Sequence, residues 1–348
     1  MQSNLIYLTI ILGVVVFARL MKVYELASAL KGSKEEKVTD GDNRFNAKMM
    51  MVFMVAFFGF CIFQMVQYGK YVLPESASEH GNSIDTLFNF NLIIITIVFV
   101  VVNVLLFYFA YRYYFRKENR ATFFAHSTKL EMIWTVIPAI VLTIIIIYGL
   151  ATWNKITTPG DPNNSVVIEL YAKQFDWTAR YAGKDNKLGA TNYKLTSDDN
   201  PLALDKEDKS GWDDKLVRGE FHIPVNQTIL FNFRSRDVIH SAYMPHFRAQ
   251  MNCVPGMKTE FHFVPTITTA EMRKKLGKPE FDYILVCNKI CGSAHYNMQM
   301  KIVVESEADY KKWLSEQKDY QSTMVAAPAA EAPATPADSA AAPPVAKM

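Results

Sequence analysis

The chain is 348 residues long, 50% hydrophobic and 20% charged, with a formal net charge of +3. So large an apolar share excludes a disordered chain. The nearly balanced charge gives no footprint for nucleic acid, and no such partner is expected. A mean hydropathy of +0.02 averages over two unlike halves, an apolar one ending at about residue 151 and a polar one after it.

Four apolar stretches fill the first half: Leu5–Phe17, Met49–Val66, Leu92–Ala110 and Met132–Leu150. A helix needs roughly 20 apolar residues to cross a bilayer; the last two stretches meet this and the second approaches it. The first is short before Arg19, so a signal-peptide core is the alternative. No basic residue precedes it and no small-x-small cleavage site follows closely, which favours a membrane helix. Four membrane helices are therefore expected.

Loop charges orient them. Lys22, Lys31, Lys34, Lys37, Arg44 and Lys48 separate the first two stretches, and Arg112, Arg116, Lys117, Arg120 and Lys129 separate the last two. Gly69–Thr86 holds only Lys70 as a base. The positive-inside rule puts both basic loops in the cytoplasm. Both chain ends, and everything after Trp153, then lie on the outer side.

From Ser165 to Glu305 the pattern changes to alternation. Ile229, Phe231 and Phe233 oppose Thr228, Asn232 and Arg234; Met257, Thr259, Phe261 and Phe263 alternate, as do Met298, Met300, Ile302 and Val304. A period of two with turn residues between runs predicts a small all-β sandwich or Greek-key barrel. Gly183–Lys215 reads as a polar insertion, a solvated loop or an acidic docking surface. Thr268 with Glu271 predicts a capped helix ending at Gly277, and Ser306 caps a helix over Glu307–Tyr320. Beyond Ser322 the Ala/Pro-rich chain is expected to be a disordered tail.

The chemistry is concentrated in one loop between strands. Cys287-Asn-Lys-Ile-Cys291-Gly-Ser-Ala-His295-Tyr-Asn-Met298 offers two thiolates, an imidazole and a thioether, and His240 in Asp237-Val-Ile-His240-Ser supplies a second imidazole. Thiolate with thioether selects copper over hard cations. Two cysteines where a mononuclear site has one suggest two coppers sharing bridging thiolates. A Cys287–Cys291 disulfide and a zinc tetrahedron are the alternatives, though zinc has no use for Met298. Of the other histidines (His80, His126, His222, His246 and His262), His246 is the only rival as second imidazole. No Cys-x-x-Cys-His is present, so the chain carries no haem c of its own.

Asp-Val-Ile-His-Ser followed by Cys-x3-Cys-x3-His-x2-Met resembles subunit 2 of the haem–copper cytochrome c oxidases. The likeness covers most of residues 88–305, including Leu130-Glu131-x-x-Trp134-Thr-x-x-Pro138 at the start of a membrane helix. It implies a cupredoxin-like domain with a binuclear CuA centre of two copper ions, held by His240, Cys287, the Lys289 carbonyl, Cys291, His295 and Met298. It also implies electrons arriving from a c-type cytochrome through Phe175 and Trp177, in Gln174-Phe175-Asp176-Trp177, and leaving to haem a in subunit 1. There oxygen is reduced to water with proton pumping, and Glu131 marks the mouth of a proton path. Partners are then oxidase subunit 1 and the other oxidase subunits, a cytochrome donor and membrane lipid, at the inner membrane.

Three departures from the family pattern stand out. Lys289 replaces a glutamate whose side chain helps bind magnesium, and a lysine ammonium has no lone pair for a metal. Phe175 replaces a tryptophan. The first two helices are additional and have no assigned role. Domains are placed at 1–48, 49–87, 88–153, 154–321 with the insertion at 183–215, and 322–348. A related nitric oxide reductase or a membrane-tethered copper protein remain the alternative functions. A quinol oxidase subunit would have lost the copper ligands kept here.

Overall fold

The computed structural model describes residues 2–30, 38–123 and 125–325. Lys31, Lys34 and Lys37 of the first basic loop, and residues 326–348 of the tail expected beyond Ser322, lie outside them; the tail's first residues, up to Val325, are helical. The chain forms two compact units, Met1–Leu73 with Phe90–Ile140, and Pro74–Asn89 with Val141–Met348.

The amino-terminal half is helical: α1 (Gln2–Leu30), α2 (Asp40–Tyr68), α3 (Glu79–Arg112) and α4 (Thr128–Thr157). Thr39 starts α2 by accepting the Asp42 N–H while Asp42 returns the bond to the Thr39 N–H, so two orphan donors are satisfied. Phe53 and Phe57 on α2 meet Phe99 and Phe107 on α3 at ring separations of 5.6 and 5.8 Å for the pairs 53–107 and 57–99. Among the described residues three helical segments are long and apolar enough to cross a membrane, Asp40–Tyr71, Glu79–Arg112 and Thr128–Thr157. The expected count was four. α1 forms but is not among the three, and its apolar run is cut by Arg19, Lys22 and Glu25.

The second unit is a β-sandwich. One sheet has the order β3 (Lys215–Arg218), β2 (Asp176–Tyr181), β1 (Val166–Lys173), β5 (Ile229–Ser235) and β8 (Thr259–Phe263). The other runs β4 (Glu220–Pro224), β10 (Gln299–Glu305), β9 (Tyr283–Cys287), β6 (His240–Met244) and β7 (Ala249–Cys253). β1 with β5 and β10 with β4 are parallel pairs; the remaining neighbours are antiparallel. The predicted inward residues Ile229, Phe231, Phe233, Met300, Ile302 and Val304 are all buried, together with Ile168, Leu170, Phe221 and Leu285. Each such side chain contributes about 1.5–3 kcal/mol by leaving water.

Alternation alone misreads the outer face of the first sheet. Leu230 and Asn232 on β5, and Glu169 and Tyr171 on β1, are buried too, because the 183–215 insertion folds over them. Leu202 and Leu204 of the insertion form a small core with Tyr171 and Tyr320. The insertion is therefore packed onto the sheet in part, while residues 192–199 stay exposed, and several of its aspartates are occupied. Asp213 accepts the Lys184 N–H, Asp208 accepts those of Ala190 and Ser210, and Asp214 accepts those of Gly189 and the Arg180 guanidinium. Arg180 also pairs with Glu169, which Arg234 grips from the other side. Burial opposes ionisation of Glu169, but the two arginines hold it below the usual carboxylate range.

Three further segments fix the sandwich. α5 (Thr269–Leu276) has the predicted capping box and ends at Gly277, whose φ of 64° needs no side chain in the way. α6 (Glu307–Glu316) is shorter than expected, and α7 (Tyr320–Val325) follows a break. Tertiary contacts cause that break: Lys215 donates to the Gln317 carbonyl at 2.7 Å and pairs with Asp319 at 2.8 Å. Finally, the stretch from Pro74 to Asp85 is fastened to the sandwich. Ala77 and Ser78 are fully buried, and Arg248 reaches the Pro74 carbonyl at 2.6 Å and the Asp85 carboxylate at 2.7 and 2.9 Å.

Candidate metal centre

Strand register brings the chemistry together. Ala242 on β6 pairs with Cys287 on β9, which sets His240 two residues away on the same face. The chain then leaves β9, crosses residues 288–298 and returns in β10, with a single 3₁₀ turn over His295–Asn297. Gly292 sits in this crossing at φ 141°, and a Cβ there would lie 2.7 Å from the Phe175 ring. Only glycine lets the loop pass under that ring.

The resulting donor set has a regular order. Cys287 Sγ lies 3.8 Å from His240 Nδ1, and Cys291 Sγ lies 3.6 Å from His295 Nδ1. The two sulfurs are 3.9 Å apart, Met298 Sδ is 3.9 Å from Cys291 Sγ, and the Cys287 thiol donates to the Lys289 carbonyl at 3.2 Å. A disulfide needs about 2.05 Å, so the two thiols are free, as are Cys61 and Cys253. His240, Cys287 and Cys291 are buried and offer ligand atoms all within 4.8 Å of one another. Soft sulfur with imidazole suits copper, and the six predicted residues fit such a group. Burial, with Cys287 alongside, pushes the Cys291 thiol up to about 11, so a metal has to displace its proton on binding.

A second ring of contacts holds the ligands. Asp237 Oδ1 bonds His240 Nε2 at 2.8 Å, leaving Nδ1 to face the sulfur. Burial works against the Asp237 charge, but N–H donors from Gln174, His240 and Val238 keep its carboxyl below the ordinary range. The Gln174 backbone N–H donates to Asp237 Oδ2 at 2.7 Å, and its side-chain amide donates to the Cys291 carbonyl at 2.5 Å. Trp177 is fully buried, its indole N–H 3.5 Å from the Met298 carbonyl and its ring 6.3 Å from that of His240. Phe175 is half-buried over Gly292.

His246, the rival imidazole, stands apart from this set. Its ring packs edge-on against Phe281 and Tyr283, and burial lowers it to about 4. Glu131 lies in the first turn of α4, where its carboxylate accepts the Ser127 N–H at 3.3 Å. Sequence reasoning missed Asp237 and Gln174 as supports. A carboxylate three residues before a candidate ligand was the available signal for Asp237. Cys253, expected in a turn, closes β7 opposite His240 and is fully buried, with burial raising its thiol to about 12.

Residues 64–152 match the model of the cytochrome c oxidase subunit II transmembrane domain, and residues 166–307 that of its periplasmic domain. The alternative cytochrome c oxidase subunit 2 of Bradyrhizobium diazoefficiens is 33% identical over 68% of this chain and 81% of its own length. The chain belongs to the cytochrome c oxidase subunit 2 family. Another member, from Thermostichus vulcanus, is 29% identical over 70% of this chain and 77% of its own. Among solved structures, a chain of a heme-copper terminal oxidase dimer covers 52% of this one and is itself wholly covered, at 18% identity and a TM-score of 0.32. Family membership makes the chain part of an oxidoreductase complex, with membrane helices followed by a cupredoxin-like β-domain.

Proposed function

We propose that this chain is the subunit through which electrons reach a haem–copper oxidase, by way of a binuclear copper centre. Its ligands are His240, Cys287, the Lys289 carbonyl, Cys291, His295 and Met298. The observation that carries the reading is that each thiol faces its own imidazole, at 3.8 and 3.6 Å, with a weak donor beside each sulfur. When bound, the copper pair supplies one-electron transfer without an open coordination position. The protein's task is to keep the donor atoms still, and His240 is fixed through Asp237 as metal-bound imidazoles commonly are.

Electrons arrive from a c-type cytochrome or a cytochrome-bearing partner. Phe175 offers a flat apolar contact over Gly292, and the buried Trp177 packs against the Met298 carbonyl and the His240 ring. Val238, Ile239, Ile290 and Tyr296 are exposed apolar neighbours of the ligand residues, suited to contact with the donor and with subunit 1. Copper held by these residues would supply one-electron transfer toward haem a in subunit 1, where oxygen would be reduced to water with proton pumping. Glu131 serves the proton path on the cytoplasmic side. Lys289 adds no side-chain ligand for magnesium and pairs with a carboxylate of subunit 1.

The chain sits in the inner membrane with α1 as a fourth span and the β-domain outside. The proposed domains are 1–48, 49–87, 88–153, 154–321 and 322–348, with residues 74–85 of the second packed onto the β-domain. Full-length protein should bind two coppers, with one unpaired electron shared over both in the paramagnetic resonance spectrum. Binding of zinc alone would sink the reading. Protease added outside spheroplasts should spare Lys22–Lys48, and cleavage there would reverse the orientation.

A further inference from the structure

We propose that Gln174, in the turn between β1 and β2, is a positioning residue that locks the two ligand-bearing segments to each other. The inference rests on the copper reading for its purpose and on geometry for its substance.

His240 opens β6 and the 287–298 loop leaves the neighbouring β9. Strand pairing and the Asn288 N–H to the Ser241 carbonyl at 2.9 Å join them only as far as residue 288, so the stretch that carries Cys291 needs a further anchor. Gln174 touches both segments. Its backbone N–H donates at 2.7 Å to Asp237, whose other oxygen bonds His240 at 2.8 Å. Its side-chain amide donates at 2.5 Å to the Cys291 carbonyl. One residue therefore reaches an imidazole through a carboxylate and a thiol through its own backbone. The neighbouring contact closes the arrangement. Both the Phe175 ring and the Gln174 amide nitrogen lie within 2.8 Å of where a Cβ on Gly292 would stand, so the loop passes directly beneath the turn. Nothing else in the turn can replace the side-chain bond, because the adjacent Asp176 and Trp177 already belong to β2.

The backbone bond survives substitution and the amide bond does not, so the two halves separate cleanly. In Gln174→Met the chain length is kept and only the donor to Cys291 is lost. The test uses the copper-free full-length chain in detergent, with iodoacetamide alkylation followed for each cysteine by peptide mass. Loss of one neutral hydrogen bond should raise the Cys291 rate about fivefold. Cys253, fully buried in the sheet nearby, should be unchanged. A Cys291 rate equal to wild type overturns the proposal. A parallel rise at Cys253 also overturns it, because the residue would then merely stabilise the fold. In the copper-loaded chain the variant should lose metal about tenfold faster, as expected for an outer support of a ligand. If wild type takes up no copper yet the Cys291-specific rise is seen, the copper reading fails and the positioning role stands.

Discussion

Two polar excursions leave the sandwich, the 287–298 loop and the 183–215 insertion, and they spend their polar atoms in opposite ways. In the insertion, most carboxylate oxygens are matched: Asp213 accepts the Lys184 N–H, Asp208 caps the turn at Ser210, and one Asp214 oxygen takes Gly189 and Arg180 while the other is buried without a partner. In the loop, two thiols, two imidazoles and a thioether face one another at 3.6–3.9 Å, contacts that stabilise little by themselves. A matched set is architecture. A set of good ligands turned mainly toward each other is a site. Fold and site should therefore respond separately to substitution.

The largest separation is expected from Cys291→Ser, since a hydroxyl is a poor bridging ligand. Copper content and the shared-electron signal should vanish while the melting temperature of the copper-free chain stays near wild type. Copper retained at two per chain would break the contrast. Arg180→Met should do the reverse, leaving Glu169 and Asp214 short of a partner in a site where all three side chains are at most 3% exposed. Breaking such a buried set costs about 3–5 kcal/mol. Denaturant unfolding should register that loss, and a variant as stable as wild type would show the network to be dispensable. Copper bound per folded molecule should not change.

The smallest effect is one of pH. Burial raises the Asp214 carboxyl to about 7 against the pull of Arg180. A raised carboxyl contributes stability that is complete below its unfolded value and fades as pH rises through 7. Wild type should therefore lose part of its stability between pH 5 and pH 8 through this group, whereas Asp214→Asn should show a flatter profile over the same range. Parallel profiles in thermal melts would remove Asp214 as the cause. Should copper affinity track the Asp214 titration, the insertion and the ligand loop would not be independent after all.

What could be read in the sequence follows the same division. The ligand loop is legible because metal chemistry demands particular residue types at short spacing, and Cys287, Cys291, His295 and Met298 fall within one crossing. The core strands are legible because burial on one face writes a period of two, as at Phe231 and Phe233. Gln174 was not legible as a support, since Cys291 lies 117 residues away and meets it only on folding, whereas Asp237, three residues before His240, carried a local signal. Leu202 and Leu204 look like stray apolar residues in a polar run until Tyr171 and Tyr320 come to meet them. Asp214 is one aspartate among many in its segment, and nothing local distinguishes it from the capping ones. The end of α6 is decided by Lys215, a residue about a hundred positions earlier.

The clasp between Arg248 and the Pro74–Asp85 stretch has a practical corollary. The β-domain is discontinuous in sequence: part of its wall is supplied by residues that precede α4. A soluble fragment begun after Thr157 would omit Ala77 and Ser78, uncovering the backbone carbonyls of His246 and Phe247 that they satisfy at 2.7 Å. It would also strand the Arg248 guanidinium, only 7% exposed, without Asp85. Excision at the apparent domain boundary would therefore damage the sheet a few residues downstream of His240. A faithful soluble version would need residues 74–85 grafted back through a short linker.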